Sequence, residues 1–176
     1  MSEATKTEIS ALDIPLERDV FMRDLLRHLS GALQDVVGVD EAAGFIAIVG
    51  QNMGEQLNQS YCNALQVPSL SLAQVAAVMV DLKQRIKSDY RIVSQSTDKI
   101  VLQSPTCPFA EKVIGRPSLC MMTSNVFGTI AAENLGFAKV SLVNTIARGD
   151  AGCLIEIYLQ HSAEADSASG IEYYKG

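Results

Sequence analysis

The sequence contains no tryptophan and only ten other large aromatic residues, five tyrosines and five phenylalanines. Stacked-base and sugar-binding platforms are therefore not expected. Long apolar runs are also missing, because "FIAIV" at 45–49 and "VAAVMV" at 75–80 fall far short of the about 20 residues that span a bilayer. The first ten residues are polar and lack the apolar core of a secretory leader. We expect a cytoplasmic protein without a membrane span.

Positive charge is scarce as well, since the chain has 14 lysines and arginines but 20 aspartates and glutamates, which gives a net charge of -6. An acidic surface repels the phosphate backbone of nucleic acids. The densest basic stretch consists of Lys83, Arg85, Lys87 and Arg91; Asp81 precedes it and Asp89 interrupts it. We interpret it as a solvated helix face, so no nucleic-acid partner is expected.

Signatures of catalysis are missing too. The chain has two histidines, His28 and His161, and no nucleophile elbow, phosphate-binding loop, His-Glu-x-x-His or dinucleotide fingerprint. The carboxylates are scattered, and among them Glu111 and Asp150 are the candidates to support a metal from outside its ligand shell. No catalytic or cofactor-binding residue can be assigned, and a non-catalytic role is favoured over an enzyme.

What is present suits one globular domain. The 176 residues are 48% hydrophobic and 19% charged, which is enough apolar content for a core without disulfides. We divide the chain into a polar arm at residues 1–12, one domain at 13–160, and a flexible tail at 161–176 that is low in bulky residues, although "IEYY" at 171–174 could dock at its end.

Three helices are predicted in the first half. Asp13 and Pro15 are a good start for the first, and Gly38 is a good stop. Gly44, Gly50 and Gly54 in the second weaken it by roughly 1 kcal/mol each relative to alanine, so they indicate close packing against a neighbouring helix or a ligand. The third helix begins with a capping box at residues 71–74.

After residue 89 the spacing of apolar residues changes from that of a helix to that of β-strands. The stretches "YRIVSQ" at 90–95 and "KIVLQ" at 99–103 predict a hairpin, a fourth helix spans about 118–135, and "KVSLVNTIA" and "CLIEIYL" predict a second hairpin at 139–159. This order predicts an α+β fold, in which the N-terminal helices pack with an antiparallel sheet of about four strands and a crossing helix.

The four cysteines are expected in a reducing compartment, where metal, redox or packing roles outrank disulfides. Cys107 lies in a loop stiffened by two prolines, and Cys153 opens the last strand. Cys120 lies in the first turn of the fourth helix, where free N–H groups and the helix dipole are expected to lower its pKa. If these three thiols meet at one edge of the sheet, they suit a metal ion.

Two other readings stay open. Buried cysteines often only pack, and the spacing of these three matches no Cys-x-x-Cys knuckle. Cys107 and Cys120 could also form a disulfide as a redox switch. Cys62 has no companion in sequence and is interpreted as a small hydrophobic residue.

Residues 107–159 resemble the methanogen output domain, itself similar to the 4-vinyl reductase domain. The matching pieces are "CPF" at 107–109, "PSLC" at 117–120, "NLG" at 134–136 and "GDAGC" at 149–153. The resemblance implies a fold shared with Golgi-transport (TRAPP) and nitric-oxide-signalling ligand-binding domains, and a homodimer. It also implies a sensor or output module for a small molecule.

In relatives of this group, similar cysteines hold a structural zinc beside a ligand pocket, and in others an iron–sulfur cluster. The resemblance therefore implies zinc at Cys107, Cys120 and Cys153, with an iron–sulfur cluster or a thiol redox sensor as alternatives. We expect the pocket between the second helix, the fourth helix and the sheet. No kinase, PAS or DNA-binding segment is visible, so the chain is expected to act alone, by dimerising, or through a separate signalling partner. An enzyme or accessory factor of tetrapyrrole metabolism is the remaining alternative.

Overall fold

The computed structural model describes residue 11 and residues 17–176. The predicted helix start at Asp13 and Pro15 and nearly all of the polar arm at 1–12 lie outside the described residues. In the described part, the helices are α1 (Arg18–Val37), α2 (Val39–Leu65), α3 (Leu72–Arg85), α4 (Cys120–Leu135) and α5 (Ala163–Ser167).

The helix boundaries follow local chemistry. Gly38 separates α1 from α2 with φ 88°, a left-handed conformation that glycine adopts without steric cost. The capping box at the start of α3 is confirmed, since the Ser71 hydroxyl accepts from the Gln74 N–H and the Gln74 side chain accepts from the Ser71 N–H. A short 3₁₀ turn, Pro117–Leu119, leads into α4.

Five strands form one sheet in which every neighbouring pair is antiparallel. They are β1 (Arg91–Gln95), β2 (Lys99–Ser104), β3 (Phe137–Asn144), β4 (Cys153–Tyr158) and β5 (Ile171–Tyr174), in the order β1-β2-β4-β3-β5. Together with the helices this confirms the α+β class.

The fifth strand differs from the sequence prediction of about four strands and a flexible tail at 161–176. In the structure this segment forms α5 and then β5, which pairs with β3 along its outer edge. Two glycines allow the close approach, Gly170 of this segment and Gly128 of α4. A Cβ built on Gly170 would lie 2.5 Å from the Val140 carbonyl oxygen, and the Tyr173 ring covers the Cα of Gly128. The Tyr173 and Ser124 hydroxyls are hydrogen-bonded at 2.9 Å.

Helix α4 is the centre of the core and lies between the sheet and α2. Its side chains Phe127, Ile130 and Ala131 have no exposed surface. Gly50 and Gly54 of α2 let that helix approach closely, because a Cβ on either would lie 2.8 Å from a Cβ of α4. The predicted close packing is thus confirmed at these two glycines, whereas Gly44 faces open space.

No helix within residues 17–176 is both long enough and apolar enough to cross a membrane.

Candidate functional site

Three cysteines from three elements line one small cavity of about 30 Å³. Cys107 comes from the loop after β2, Cys120 from the first residue of α4, and Cys153 from the first residue of β4. The remaining wall is mostly apolar and includes Tyr90, Phe109, Leu119, Leu142, Thr145 and Ile155. The three residues chosen from the sequence therefore do converge.

Backbone register brings Cys107 and Cys153 to the same edge. Cys153 pairs with Ser104, the last residue of β2. The Ser104 hydroxyl donates to the Thr106 carbonyl at 2.8 Å, and the buried Ser88 hydroxyl donates to the same oxygen at 2.9 Å. These bonds hold the chain just before Cys107, so its loop leaves the sheet beside the start of β4.

The Cys120 thiol does not have the lowered pKa that its place at a helix start predicted. Burial is the main reason that its pKa is raised to about 12, and the negative charge of the Cys153 and Cys107 thiolates adds to this effect. The pKa of Cys107 is also raised, chiefly by burial. The Cys120 N–H donates to carbonyls of the preceding 3₁₀ turn, so burial outweighs the helix terminus and the thiols are favoured as neutral groups.

Lys83 was assigned from the sequence to a solvated face, and this was wrong. It is 5% exposed, and its Nζ donates to the Thr123 hydroxyl at 2.7 Å and lies 5.5 Å from the Tyr90 ring centre. Within residues 17–176, no Asp or Glu forms an ion pair with it. Burial lowers the pKa of Lys83 to about 8, while negative charge on the three cysteines, Cys107 foremost, opposes that change.

A signal for this burial was present in the sequence. Lys83 follows Val75 and Met79 at intervals of four, which places it on the apolar stripe of α3. The run of basic residues around it obscured that position.

Two further polar groups at the cavity could not be found from the sequence. Thr145 is 3% exposed, and its hydroxyl lies beside the Cys120 thiol without a well-formed hydrogen bond. The Tyr90 hydroxyl lies against the Cys153 thiol, and burial raises the pKa of Tyr90. Asp150, a candidate outer carboxylate, accepts from the Thr145 N–H at 2.7 Å and so holds the backbone that presents Thr145.

The other sequence candidates lie elsewhere. His28 is exposed, and His161 is stacked on Phe137 with ring centres 4.2 Å apart. Glu111 is at the surface beside Lys112. Cys62 is buried on α2, with its sulfur 3.9 Å from the Asn58 side-chain oxygen, consistent with packing.

A groove of about 260 Å³ does lie between α2, α4 and β5, where the pocket was expected, but the thiol cavity lies elsewhere. Helix α2 contributes none of its lining residues, because Gly50 and Gly54 bring α2 directly onto α4. The cavity lies instead at the start of α4. Among the described residues, no group of three or more His, Cys, Asp or Glu is arranged to hold a metal ion in this conformation.

Helix α1 is joined by hydrogen bonds and an ion pair to the segment between Cys107 and Cys120. Arg27 donates to the carbonyls of Lys112 and Ile114 at 2.6 and 2.9 Å, and Lys112 forms an ion pair with Asp24 at 2.8 Å. Further along, the Ser118 hydroxyl donates to the Gln34 side chain at 2.9 Å. A displacement of the cysteine-bearing loop would therefore be transmitted to α1.

Comparison with known proteins shows the fold and the family of this chain. No curated protein matches the sequence. In three dimensions the chain is similar to a trafficking protein particle complex subunit 3 from Naegleria fowleri covalently bound to palmitic acid, with TM-score 0.54 and 13% identity over 80% of this chain and 96% of that one. This likeness shows the fold. Residues 25–158 match the model of methanogen output domain 1, so the chain belongs to the methanogen output domain 1 family.

Proposed function

We propose that this protein is a non-catalytic sensor or output module whose input is a thiophilic metal ion, zinc first, bound by Cys107, Cys120 and Cys153. The family to which the chain belongs supports the output role. The observation on which the metal proposal chiefly rests is the meeting of three thiols from three separate elements at one buried cavity. A cytoplasmic location is part of the proposal, because a reducing compartment keeps thiols available.

The chemistry of the cavity favours a soft ion. Cysteine thiolates are the preferred ligands of zinc and its thiophilic neighbours, and three such ligands leave a fourth position open. The Thr145 hydroxyl, buried and without a well-formed hydrogen bond, is a group that a bound water or fourth ligand would satisfy.

The size of the cavity favours one ion over larger occupants. At about 30 Å³ it has room for one or two water-sized groups, since a water needs roughly 10–15 Å³ by this measure. Organic ligands of drug size occupy sites of roughly 300–1,000 Å³. Within the thiol cavity itself, a small-molecule effector or an iron–sulfur cluster would need a larger opening, so at this position both rank behind a single ion.

Binding an ion requires movement. Because the thiols are not arranged to hold a metal as they stand, the Cys107 loop or its neighbouring side chains must close on the ion. That loop is attached to α1 through Arg27 and Lys112. Closure of the loop would shift α1, and this is the route by which we propose that the site controls the surface of the module.

The output surface is the α1–α2 apolar face, which we define as Phe21, Leu25 and Leu29 of α1 and Phe45, Ile48 and Val49 of α2. These side chains follow helical spacing, and each is about half exposed. Aromatic side chains bury 150–250 Å² each, so the two half-exposed phenylalanines alone present roughly 200 Å², and the four aliphatic side chains enlarge this patch. Apolar patches of a few hundred Å² or more are often functional, and protein–protein interaction sites are among the features that they mark. We propose that a second copy of the chain covers this face.

Elemental analysis tests the metal site. Protein purified without oxygen should contain about one zinc per chain, and Cys107→Ser, Cys120→Ser and Cys153→Ser should each lower that content. Cys62→Ser is the matched control, since this buried thiol lies apart from the cavity and its loss should leave the metal content unchanged. Metal-free wild-type protein that takes up neither zinc nor cadmium would refute the site, and a coloured protein containing iron and sulfide would favour the cluster instead.

Sedimentation analysis tests the dimer separately. The wild-type chain should sediment as a dimer and the double variant Leu25→Glu/Ile48→Glu as a monomer. Val93→Glu is the control, because Val93 is 54% exposed on the edge strand β1, away from the proposed interface. A monomeric wild type at micromolar concentration, or an equal effect of the control, would overturn this assignment.

A further inference from the structure

A groove of about 380 Å³ lies where the start of α1, the end of α3 and the start of α4 come together. Its wall is chiefly apolar and is formed by Met22, Leu26, Ile86, Pro108, Phe109 and Met122. Lys83 and Thr123 also line the groove, and Lys83 is only 5% exposed, so its side chain lies deep within it. An apolar groove of this volume with a few polar groups is the usual form of a small-molecule site.

The Lys83 ammonium is the buried charge of this groove, and it lacks a carboxylate partner. Asp19 lines the same groove, but its side chain is 61% exposed and pairs with Arg23 at 3.3 Å. Arg85 pairs with Asp81 at 2.6 Å. Within residues 17–176 no Asp or Glu is close enough to Lys83 to form an ion pair, so its charge stays uncompensated.

The surroundings of the ammonium leave it able to bind an anion. Its three N–H groups include one that donates to the Thr123 hydroxyl at 2.7 Å. The rings of Tyr90 and Phe127, with centres 5.5 and 5.2 Å away, attract a cation but supply no counter-charge. Burial lowers the pKa of Lys83 to about 8, so the amine is still mostly charged at pH 7. A buried charge without a counter-charge is costly, and an anion bound beside it would relieve that cost.

We propose that this groove binds a small organic acid, whose carboxylate pairs with Lys83 and Thr123 and whose apolar body lies along the groove wall. Two carboxylate oxygens match the two remaining N–H groups of the ammonium, and one negative charge neutralises one positive charge. A phosphate group is a poorer match, because its charge of about -1.5 to -2 at neutral pH would leave negative charge in excess. The proposal does not depend on a metal ion, since none of the three thiols of the metal proposal lines this groove.

The site adjoins the segment that follows Cys107. Pro108 and Phe109 line both the groove and the thiol cavity, so an acid in the groove contacts the loop that bears this cysteine. Met22 and Leu26 of α1 form the opposite part of the wall. A bound acid therefore bridges α1 and the Cys107 loop.

A purely structural role for Lys83 gives a different expectation. If the side chain only supports the fold around Phe127, its replacement should change the affinity for charged and uncharged molecules alike. Pairing with a carboxylate instead makes the protein prefer an acid to an uncharged molecule of the same shape. That preference is the quantity to measure.

The test measures binding of octanoate and of 1-octanol, the uncharged molecule of the same chain length, to the full-length chain by titration calorimetry at pH 7. The wild type should bind octanoate more tightly than 1-octanol. Replacing Lys83 by methionine (K83M) should weaken octanoate binding about 10- to 100-fold, the usual effect of losing a hydrogen bond to a charged group, and leave 1-octanol binding unchanged. If Lys83→Met does not fold, the same pair of affinities is measured on Lys83→Gln.

Two other lysines provide matched controls. Lys87 lines the same groove but is exposed, so Lys87→Met tests the general positive charge of the groove. Lys139 is buried, at 7% exposure, but pairs with Glu172 at 3.5 Å and does not line the groove. Lys87→Met and Lys139→Met should each keep most of the preference for octanoate.

The outcomes decide for or against the site. A wild type that binds neither molecule at millimolar concentration, or binds both equally, refutes it. A preference for octanoate that persists in the neutral variants at position 83, or is lost equally in the Lys87 control, refutes the role of Lys83. Loss of the preference in the Lys83 variants alone supports the proposal. A chain without zinc leaves this inference untouched, because the metal content is measured separately.

Discussion

Replacing Gly54 by alanine tests how closely α2 is packed onto α4. The added Cβ would lie 2.8 Å from the Cβ of Thr129 and 3.2 Å from the Cα of Val126. Favourable carbon contacts lie at about 3.5–4.0 Å, so the two helices would have to separate by several tenths of an ångström. Neither contacted atom is the end of a flexible side chain that could turn away.

The magnitude follows from two opposing terms. Overpacking of this kind costs roughly 1–3 kcal/mol, while replacing glycine by alanine inside a helix gains about 1 kcal/mol. We expect Gly54→Ala to lower the free energy of unfolding by up to about 2 kcal/mol. Gly44→Ala, in the same helix but with no atom within 4 Å of the added Cβ, should raise it by about 1 kcal/mol.

Urea unfolding of both variants at one protein concentration measures the difference. For a chain of this size each kcal/mol corresponds to roughly 2–4 °C in melting temperature, which provides a second readout. Equal changes at the two glycines, or stabilisation at Gly54, would refute the argument that a direct backbone approach joins the helices.

Three further predictions concern the rest of the fold. Asn134→Ala should lower the free energy of unfolding by roughly 1–3 kcal/mol, because its side chain bonds to the Leu70 N–H at 2.6 Å and to the side chain of Asn58; urea unfolding measures this. Tyr61, whose pKa is raised to about 12 chiefly by burial and then by the bond to Asp81, contributes stability that is present below pH ~10 and lost as the pH rises towards 12. Tyr61→Phe should therefore lose less stability than the wild type over that alkaline window, and parallel losses would contradict this. Tyr173→Ala should release β5, so that hydrogen exchange quickens in residues 171–174 and stays slow in β4.

Local patterns predicted most of the framework correctly. The capping box of α3, the stop at Gly38 and the turn between β1 and β2 depend on neighbouring residues, so the sequence contains their causes. For "IEYY" at 171–174 only docking was predicted and not a fifth strand, because the attachment of β5 depends on Gly128 of α4, which admits the Tyr173 ring, and on the approach of Gly170 to the Val140 carbonyl. No periodicity within residues 161–176 reports that contact.

For the thiol site, too, local features were predicted from the sequence and burial was not. The three cysteines and the elements that carry them were predicted from local signals, and the structure brings them to one cavity, while their role as metal ligands stays a prediction. The pKa of Cys120 was predicted in the wrong direction, because a helix terminus is visible in sequence whereas the burial that outweighs it is not. Lys83 was misassigned for a different reason, because its position on the apolar stripe of α3 is visible in the sequence but was obscured by the surrounding basic residues.

The sequence by itself determined the order of helices and strands, the α+β class and the three thiol-bearing segments, since each depends on residues close together along the chain. Tertiary structure alone decided that α2 lies directly on α4, that the cavity is at the start of α4, and that Thr145 is buried beside Cys120. The physical reason is that burial and close approach depend on segments up to a hundred residues away, and these set the charge and size of whatever the site can bind.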